Sequence, residues 1–142
     1  MTKISSNKHR KILVVAGIIQ KDDRILISKR PPGETSPHLW EFPGGKIEQG
    51  ETPKTALLRE IREELGVDVE VLDIYSVLSV HLDDKDIYLL FYGCRHIKGT
   101  MPACIEVASW TWVKSNELKH YAFLEADLPL VRQLEKQGFP KR

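Results

Sequence analysis

The stretch GKIEQGETPKTALLREIREELGV, residues 45–67, decides the fold because it joins a glycine-containing loop to the clearest helix signal in the chain. Thr52 fits the N-cap position, Pro53 fits the first helical position, where a missing N–H costs nothing, and Gly66 fits the residue that closes a helix. Between these ends, four apolar residues fall within an arc of about 100° at helical spacing: Leu57, Leu58, Ile61 and Leu65. The pattern therefore predicts an amphipathic helix that packs one face on a core.

The same helix carries three glutamates beside its apolar face. Glu60, Glu63 and Glu64 stand at positions i, i+3 and i+4, so their side chains converge on one face although like charges repel. For an arbitrary helix, a solvated acidic face relieved by Arg59 and Arg62 is the ordinary interpretation.

The residues before the helix favour a binding site over a solvated face. Glu51 comes just before the helix, and the Gly44–Gly45 pair lets backbone carbonyls approach whatever the carboxylates hold. A cluster of oxygen ligands without histidine or thiolate selects a hard cation. The pattern therefore predicts a site for Mg²⁺, with Mn²⁺ as a possible alternative.

The rest of the chain alternates between short apolar strands and polar turns, which predicts an α+β fold with a mixed, mainly antiparallel sheet. An opening hairpin is expected over residues 11–30 with its turn at 21–23, followed by a proline-rich loop over 31–38. Further strands are expected at 39–42, 69–80, 87–94 and 109–113. A short helical turn is expected at 115–118, and a final helix between Pro129 and Gly138.

Length and charge limit the possible classes of protein. At 142 residues with 42% hydrophobic residues, the chain fits one domain, expected over residues 11–142 after a flexible arm at 1–10. Lys and Arg number 21 against 20 Asp and Glu, so bulk charge favours neither nucleic acid nor an anionic membrane as partner. No apolar run is long enough for a membrane span and no secretion signal is recognised, which predicts a cytoplasmic location.

Cysteine and histidine give no metal-binding pattern. The two cysteines, Cys94 and Cys104, form no CxxC pair, and both are expected to be reduced. The five histidines are scattered along the chain, at positions 9, 38, 81, 96 and 120. A metal site built from histidine and cysteine is therefore not expected.

Residues 45–67 match the pattern Gly-x5-Glu-x7-Arg-Glu-U-x-Glu-Glu-x-Gly-U, where U is apolar, at every fixed position. This pattern is the Nudix box, and the chain resembles the Nudix hydrolase family. The opening hairpin, WEFPGGKIE (residues 40–48) and ADLPLVRQL (residues 126–134) are similar to the MutT-type nucleoside triphosphate pyrophosphohydrolases. The resemblance covers nearly the whole chain and implies an α/β/α sandwich with the Nudix loop-helix-loop.

The resemblance also implies roles for the acidic residues. Glu60, Glu63 and Glu64 would be metal ligands together with the carbonyl of Gly44, and a later loop would add Glu106. Glu106 is otherwise an ordinary loop acid. Two further residues would assist the cluster, Glu51 by its charge and Arg59 by orienting the carboxylates.

The implied reaction is hydrolysis of a nucleoside triphosphate to a monophosphate and pyrophosphate. Metal ions would lower the pKa of a water molecule and align it for attack on the β-phosphorus. Glu60 or Glu106 would take the proton of that water, and the sequence does not choose between them. The partner is a small-molecule nucleotide, and the chain is a monomer or a homodimer.

Three residues outside the box are candidates for substrate binding. Arg30 corresponds to a phosphate-contacting arginine of the family, or is a solvated charge at a strand end. Phe42 stacks on a base, or packs in the core. Asp127 stands where MutT has an asparagine that faces the base, and it also fits a helix N-cap.

Asp127 bears on the choice of base. An ionised aspartate only accepts hydrogen bonds and so favours the donor-rich edge of cytosine, whereas an amide satisfies both a donor and an acceptor on oxidised guanine. The sequence thus leaves open an 8-oxo-dGTP diphosphatase and a CTP pyrophosphohydrolase. Other possibilities are a non-catalytic Nudix module that binds a nucleotide, and a hydrolase of another diphosphate-linked metabolite.

Overall fold

The structure, a computed structural model, describes residues 9–140. Its two α-helices are α1 (Pro53–Leu65) and α2 (Leu128–Gln137), and two 3₁₀ turns span Ser115–His120 and Glu125–Asp127. The strands are β1 (Arg10–Lys21), β2 (Arg24–Lys29), β3 (Trp40–Glu41), β4 (Gly44–Lys46), β5 (Val69–His81), β6 (Lys85–His96) and β7 (Ser109–Val113).

These strands form one seven-stranded sheet in the order β3-β2-β1-β6-β5, with β4 also paired to β1 and β7 to β2. The central pair, β1 and β6, is parallel from Arg10 and Lys85 to Gln20 and Arg95, and every other pair is antiparallel. The predicted mixed, mainly antiparallel sheet is therefore confirmed.

Each face of the sheet is covered by helix because the apolar residues of the central strands alternate in direction. Along β1, Val15 and Ile19 join the core under α1, whereas Ala16 and Ile18 join the core under α2. The helical residues of the first core belong to α1 and are Ala56, Leu57, Ile61 and Leu65. The second takes Leu118, Leu130, Val131 and Leu134 from the C-terminal helices. This arrangement confirms the α/β/α sandwich.

The ends of α1 are those that its sequence predicts. Thr52 is extended and accepts a hydrogen bond from the backbone N–H of Thr55, and Pro53 opens the helix. At the other end, Gly66 takes a left-handed conformation with φ of 68°, which a residue without Cβ adopts at little cost.

Several element bounds differ slightly from the prediction. Strand β1 already includes Arg10, whose backbone N–H donates to the carbonyl of Asp84 at 3.1 Å; residues 1–8 of the predicted arm lie outside the described part. Strands β5 and β6 run one to two residues further because they pair as far as His81 and Asp86. Among residues 9–140, no helix is long and apolar enough to cross a membrane.

Candidate active site

A cleft of about 380 Å³ opens at the carboxyl half of α1, between that helix and the turn that precedes α2. One wall of the cleft comes from α1, β4 and the loop between β6 and β7. The opposite wall comes from β3, the residues around Arg30 and the second 3₁₀ turn. The polar side chains that line it are Arg30, Glu34, Glu41, Lys46, Glu60, Glu64, Glu106 and Asp127.

The acidic wall depends on two glycines of β4 that permit close approach. A Cβ on Gly44 would lie 2.0 Å from the carbonyl oxygen of Val15 on the neighbouring strand. A Cβ on Gly45 would lie 2.4 Å from the carboxyl carbon of Glu60. Gly44 therefore lets β4 approach β1, and Gly45 lets the Glu60 carboxyl lie against the β4 backbone.

Glu60 and Glu64 form the centre of this wall. The backbone N–H of Gly44 donates to Oε1 of Glu64 at 3.4 Å. Burial, the charges of Glu41 and Glu60 and a hydrogen bond that the protonated Glu64 donates to the Glu60 carboxylate together raise the pKa of Glu64 to about 9. Burial also raises the pKa of Glu60. Negative charge is thus crowded into a poorly hydrated place, where a cation or a proton is favoured.

Arg59 gathers the remaining acidic side chains of the Nudix box. It contacts both carboxylate oxygens of Glu51, at 2.6 and 2.9 Å, in a bidentate pair. Its Nη1 donates to Glu60 at 3.1 Å and to Glu63 at 3.2 Å. These hydrogen bonds hold the pKa of Glu51 at about 2, so that carboxylate stays charged.

Glu106 reaches the cleft because its loop is attached to the end of α1. The backbone N–H groups of Ile105 and Glu106 donate to the carbonyl of Glu64 at 3.2 and 3.1 Å, and that of Ala103 donates to Leu65 at 2.9 Å. These carbonyls belong to the last helical turn, whose carbonyls lack partners within the helix. The loop therefore completes the helix end and places Glu106 beside Glu64.

The opposite wall contains an ion pair that the sequence did not indicate. Arg30 donates from Nη1 to Glu41 at 3.0 Å, and its Nε donates to the carbonyl of Thr35 at 2.7 Å. Glu34 lies 3.3 Å from the same guanidinium. Burial raises the pKa of Glu41 despite the opposing effect of Arg30. Arg30 is therefore a part of the cleft and not a solvated charge at a strand end.

Asp127 lies at the base of this wall and is only 5% exposed. Burial, with the charge of Glu41, raises the pKa of Asp127 to about 7, against a hydrogen bond from the backbone N–H of Phe42. Asp127 occupies the N-cap position of α2, but its side chain makes no capping hydrogen bond. The carboxyl is therefore turned to the cleft.

The ring of Phe42 packs in the core. It is 3% exposed, stacks on Phe123 at 5.3 Å between centroids and meets the edge of Phe91 at 6.0 Å. The residue still borders the cleft, where its backbone N–H holds Asp127. Its aromatic face is therefore not free to stack on a base.

The structure brings most of the sequence-predicted residues together. Seven of them line the cleft: Arg30, Phe42, Gly44, Glu60, Glu64, Glu106 and Asp127. Glu51, Arg59 and Glu63 lie beside it in the ion-pair cluster, with the Glu63 side chain 48% exposed. Glu41 was not predicted as a site residue. The sequence feature that could have indicated it is a charged residue inside a short strand, directly before Phe42.

The residues present fit a hard cation. Glu60, Glu64 and Glu106 present only carboxyl oxygens to one cleft, and the two helix carboxyls are close enough to share a proton, whose place a cation can take. Within residues 9–140, no three Asp, Glu, His or Cys side chains already stand in the arrangement of a metal's ligand shell.

The model of the NUDIX domain family matches residues 8–134, which is most of the chain. The fold, the loop-helix with its acidic wall and this match agree, and the chain belongs to the Nudix family, as a MutT-like Nudix hydrolase.

Its similarity to individual proteins extends along most of the chain. It is 36% identical over 120 residues to the CTP pyrophosphohydrolase of Escherichia coli strain K12, covering 84% of this chain and 88% of that protein. It is 30% identical over 128 residues to the 8-oxo-dGTP diphosphatase of the same strain, covering 89% and 98%. The solution structure of the E. coli ORF135 protein matches with a TM-score of 0.78 at 30% identity, covering 92% of each chain.

Proposed function

We propose that this protein is a Mg²⁺-dependent nucleoside triphosphate pyrophosphohydrolase that releases pyrophosphate and a nucleoside monophosphate. The observation that carries the proposal is one cleft with two unlike walls. One wall offers the clustered oxygens of Glu60, Glu64 and Glu106, which suit a cation with its phosphates. The other offers Asp127, a buried and directional polar group of the kind that reads a base edge.

The acidic wall supplies the chemistry. Gly44, Glu60, Glu63, Glu64 and Glu106 would hold Mg²⁺, which would supply charge neutralisation of the phosphates and a lowered pKa for a water molecule. Mn²⁺ has the same ligand preference and is a possible substitute. Arg59 and Glu51 orient the carboxylates through their hydrogen bonds.

A glutamate beside the attacking water accepts the proton that this water loses. Glu60 and Glu106 both line the cleft and either can take the proton as water attacks the β-phosphorus. Arg30 contacts the phosphates after it is released from Glu34. Of its two carboxylate partners, Glu34 is the more exposed, with a side chain 50% exposed against 21% for Glu41.

The base is recognised at the Asp127 wall. As a carboxylate, Asp127 accepts from the amine of cytosine; as a neutral acid, it both donates and accepts, as the edge of an oxidised purine requires. A pKa raised to about 7 makes both forms available near neutral pH. We therefore propose substrates of the CTP and dCTP type together with oxidised or modified nucleotides, the two groups named for the E. coli relatives.

The test is release of pyrophosphate against orthophosphate with Mg²⁺ across ordinary, methylated and oxidised nucleoside triphosphates, with dinucleotides and ADP-ribose as controls. Pyrophosphate from a cytosine or oxidised-purine triphosphate supports the proposal. Attack at the γ-phosphorus, seen as orthophosphate, contradicts the assigned reaction. No turnover across the panel overturns it in favour of a nucleotide-binding module or another diphosphate-linked substrate.

Four further assignments accompany this proposal. We propose residues 11–142 as one domain, an assignment supported by the packing of both helices on one sheet within residues 9–140. The substrate is a small nucleotide and not a nucleic acid, and the chain acts in the cytoplasm. It is a monomer or a homodimer, which light scattering on the purified protein distinguishes.

A further inference from the structure

A second cluster of possible metal ligands lies at the start of β1 and the β5–β6 hairpin. His9 approaches Oδ1 of Asp86 with Nε2 at 3.0 Å, and His81 approaches the same oxygen with Nδ1 at 2.8 Å. None of the three lines the cleft described above. Two imidazole nitrogens and one carboxylate thus converge from three places in the sequence.

The backbone fixes this convergence. Arg10 pairs with Lys85 in the parallel β1–β6 ladder, and its N–H donates to the carbonyl of Asp84, which places His9 beside the hairpin. His81 stands directly opposite Asp86 in the β5–β6 ladder. Paired residues of neighbouring strands project to the same face, so the His81 and Asp86 side chains meet without strain.

Each imidazole nitrogen lies near the distance from the carboxylate oxygen that two ligands of one tetrahedral ion keep. Bonds of about 2.0–2.1 Å hold neighbouring donors about 3.3 Å apart. The two nitrogens lie 3.0 and 2.8 Å from the carboxylate oxygen, so each must retreat by about 0.3–0.5 Å to admit an ion. The three side chains do not yet stand as a ligand shell, and each imidazole must also turn its nitrogen from the carboxylate oxygen towards the ion.

We propose that His9, His81 and Asp86 form a binding site for a divalent transition metal of the Zn²⁺ or Ni²⁺ type, separate from the catalytic cleft. Imidazole nitrogen suits these ions, and two histidines with one carboxylate leave positions open for water. Mg²⁺ prefers oxygen ligands and is expected to bind here poorly. The ion joins the first strand to the β5–β6 hairpin.

Charge and exposure are compatible with this site. Hydrogen bonds from the two imidazoles lower the pKa of Asp86, so the carboxylate is charged and able to bind an ion. His9 and His81 have side chains 42% and 62% exposed, which leaves an open path from solvent, while Asp86 is 15% exposed. The Tyr88 ring meets the His81 imidazole edge-on at 6.3 Å between centroids and limits its motion.

Neighbouring charges are mixed in sign. Arg10, Lys11 and Lys85 oppose a cation, whereas Asp83 and Asp84 in the hairpin turn attract one. In the bound form the ion takes the place of the hydrogens that the imidazoles donate to Asp86, and those protons move to the other ring nitrogens or to solvent. Protons therefore compete with the metal, and acidification weakens binding.

The test is calorimetric titration of the untagged protein with NiCl₂ in excess MgCl₂, which occupies carboxylate sites that prefer Mg²⁺. We expect one Ni²⁺ per chain, and a melting temperature raised by roughly 5–10 °C at a 100-fold excess of Ni²⁺ over Kd. His9→Gln and His81→Gln each weaken binding by about tenfold or more, because even loss of a ligand's hydrogen-bond partner commonly costs that much.

The matched control is His120→Gln, which removes another exposed histidine and should bind Ni²⁺ as the wild type does. Equal Ni²⁺ binding by the wild type, His9→Gln and His81→Gln overturns the proposal, as does no Ni²⁺ binding at all. Pyrophosphate release with Mg²⁺ should be unchanged in both histidine variants. The site is thus tested independently of the proposed function.

Discussion

The two walls of the cleft are assembled in different ways. The acidic wall comes from one continuous segment, in which the strand β4 and the helix α1 lie within residues 44–65. The opposite wall comes from Arg30, Glu41 and Asp127, which belong to a strand end, a short strand and a turn far apart in the sequence. One wall follows from helical periodicity, and the other depends on how distant elements pack.

Their electrostatics differ in the same way. Arg59 stabilises the carboxylates of Glu51, Glu60 and Glu63 through short hydrogen bonds, so much of the negative charge is balanced locally. Asp127 is buried near another acid, Glu41, and holds a proton up to pH of about 7. Burial raises the pKa of Glu64 to about 9 on the acidic wall, so that wall holds a proton above neutral pH until a cation replaces it, whereas Asp127 on the opposite wall changes protonation near neutral pH.

The largest effect is expected from Glu64→Gln on the acidic wall. The amide has the same size but lacks the charge that binds a cation, and kcat should fall on the order of 1000-fold. Pyrophosphate release with saturating Mg²⁺ measures this. The matched control is Glu135→Gln, an exposed glutamate of α2, which should keep wild-type kcat. Undiminished kcat in Glu64→Gln would remove Glu64 from the ligand set.

Gly45→Ala should have the next largest effect, because its Cβ would overlap the Glu60 carboxyl, 2.4 Å away. Displacing that group by about 1 Å should lower kcat about 100-fold. The unfolding free energy should stay close to wild type, because the group that must move is the far end of a flexible side chain. Both are measured by kinetics and urea denaturation.

Gly33→Ala is the control for this glycine, since no atom lies within 4 Å of the added Cβ. It should leave both quantities close to wild type. If Gly45→Ala and Gly33→Ala behave alike, the acidic wall does not depend on the close contact at Gly45.

The smallest effect is expected on the opposite wall, from Asp127→Asn. The quantity to measure is the ratio of kcat/KM for CTP to kcat/KM for 8-oxo-dGTP. In the wild type this ratio should rise as the pH is raised through about 7, because the Asp127 carboxyl loses its proton and can then only accept hydrogen bonds. The amide keeps a donor at every pH, so the ratio should drop about tenfold above pH 7 and lose this pH dependence. An unchanged ranking and pH profile would exclude Asp127 from base recognition.

Particular residues show where sequence reasoning succeeded and where it failed. The capped helix was predictable from Thr52, Pro53 and Gly66, because caps act within one turn of the chain. Phe42 was a candidate for stacking on a base, but packing against Phe91 and Phe123 takes its ring into the core. Glu41 was missed because only the pairing of β2 with β3 brings it to Arg30.

The histidines illustrate the same limit. Five scattered histidines gave no metal-binding spacing, yet the parallel pairing of β1 with β6 and the antiparallel hairpin bring His9 and His81 to one carboxylate of Asp86. No local spacing encodes a parallel strand pair, since its connection passes through the rest of the fold.

The sequence by itself determined the α+β class with its mixed, mainly antiparallel sheet, the capped helix α1 and the three glutamates on its face, because helical and strand periodicity are local properties of the chain. Only the tertiary structure decided that Glu41 pairs with Arg30, that Asp127 is buried without capping α2, and that Glu106 is tied to the end of α1. Those outcomes depend on burial and on strand pairing between distant residues, and these exist only once the whole sheet has formed.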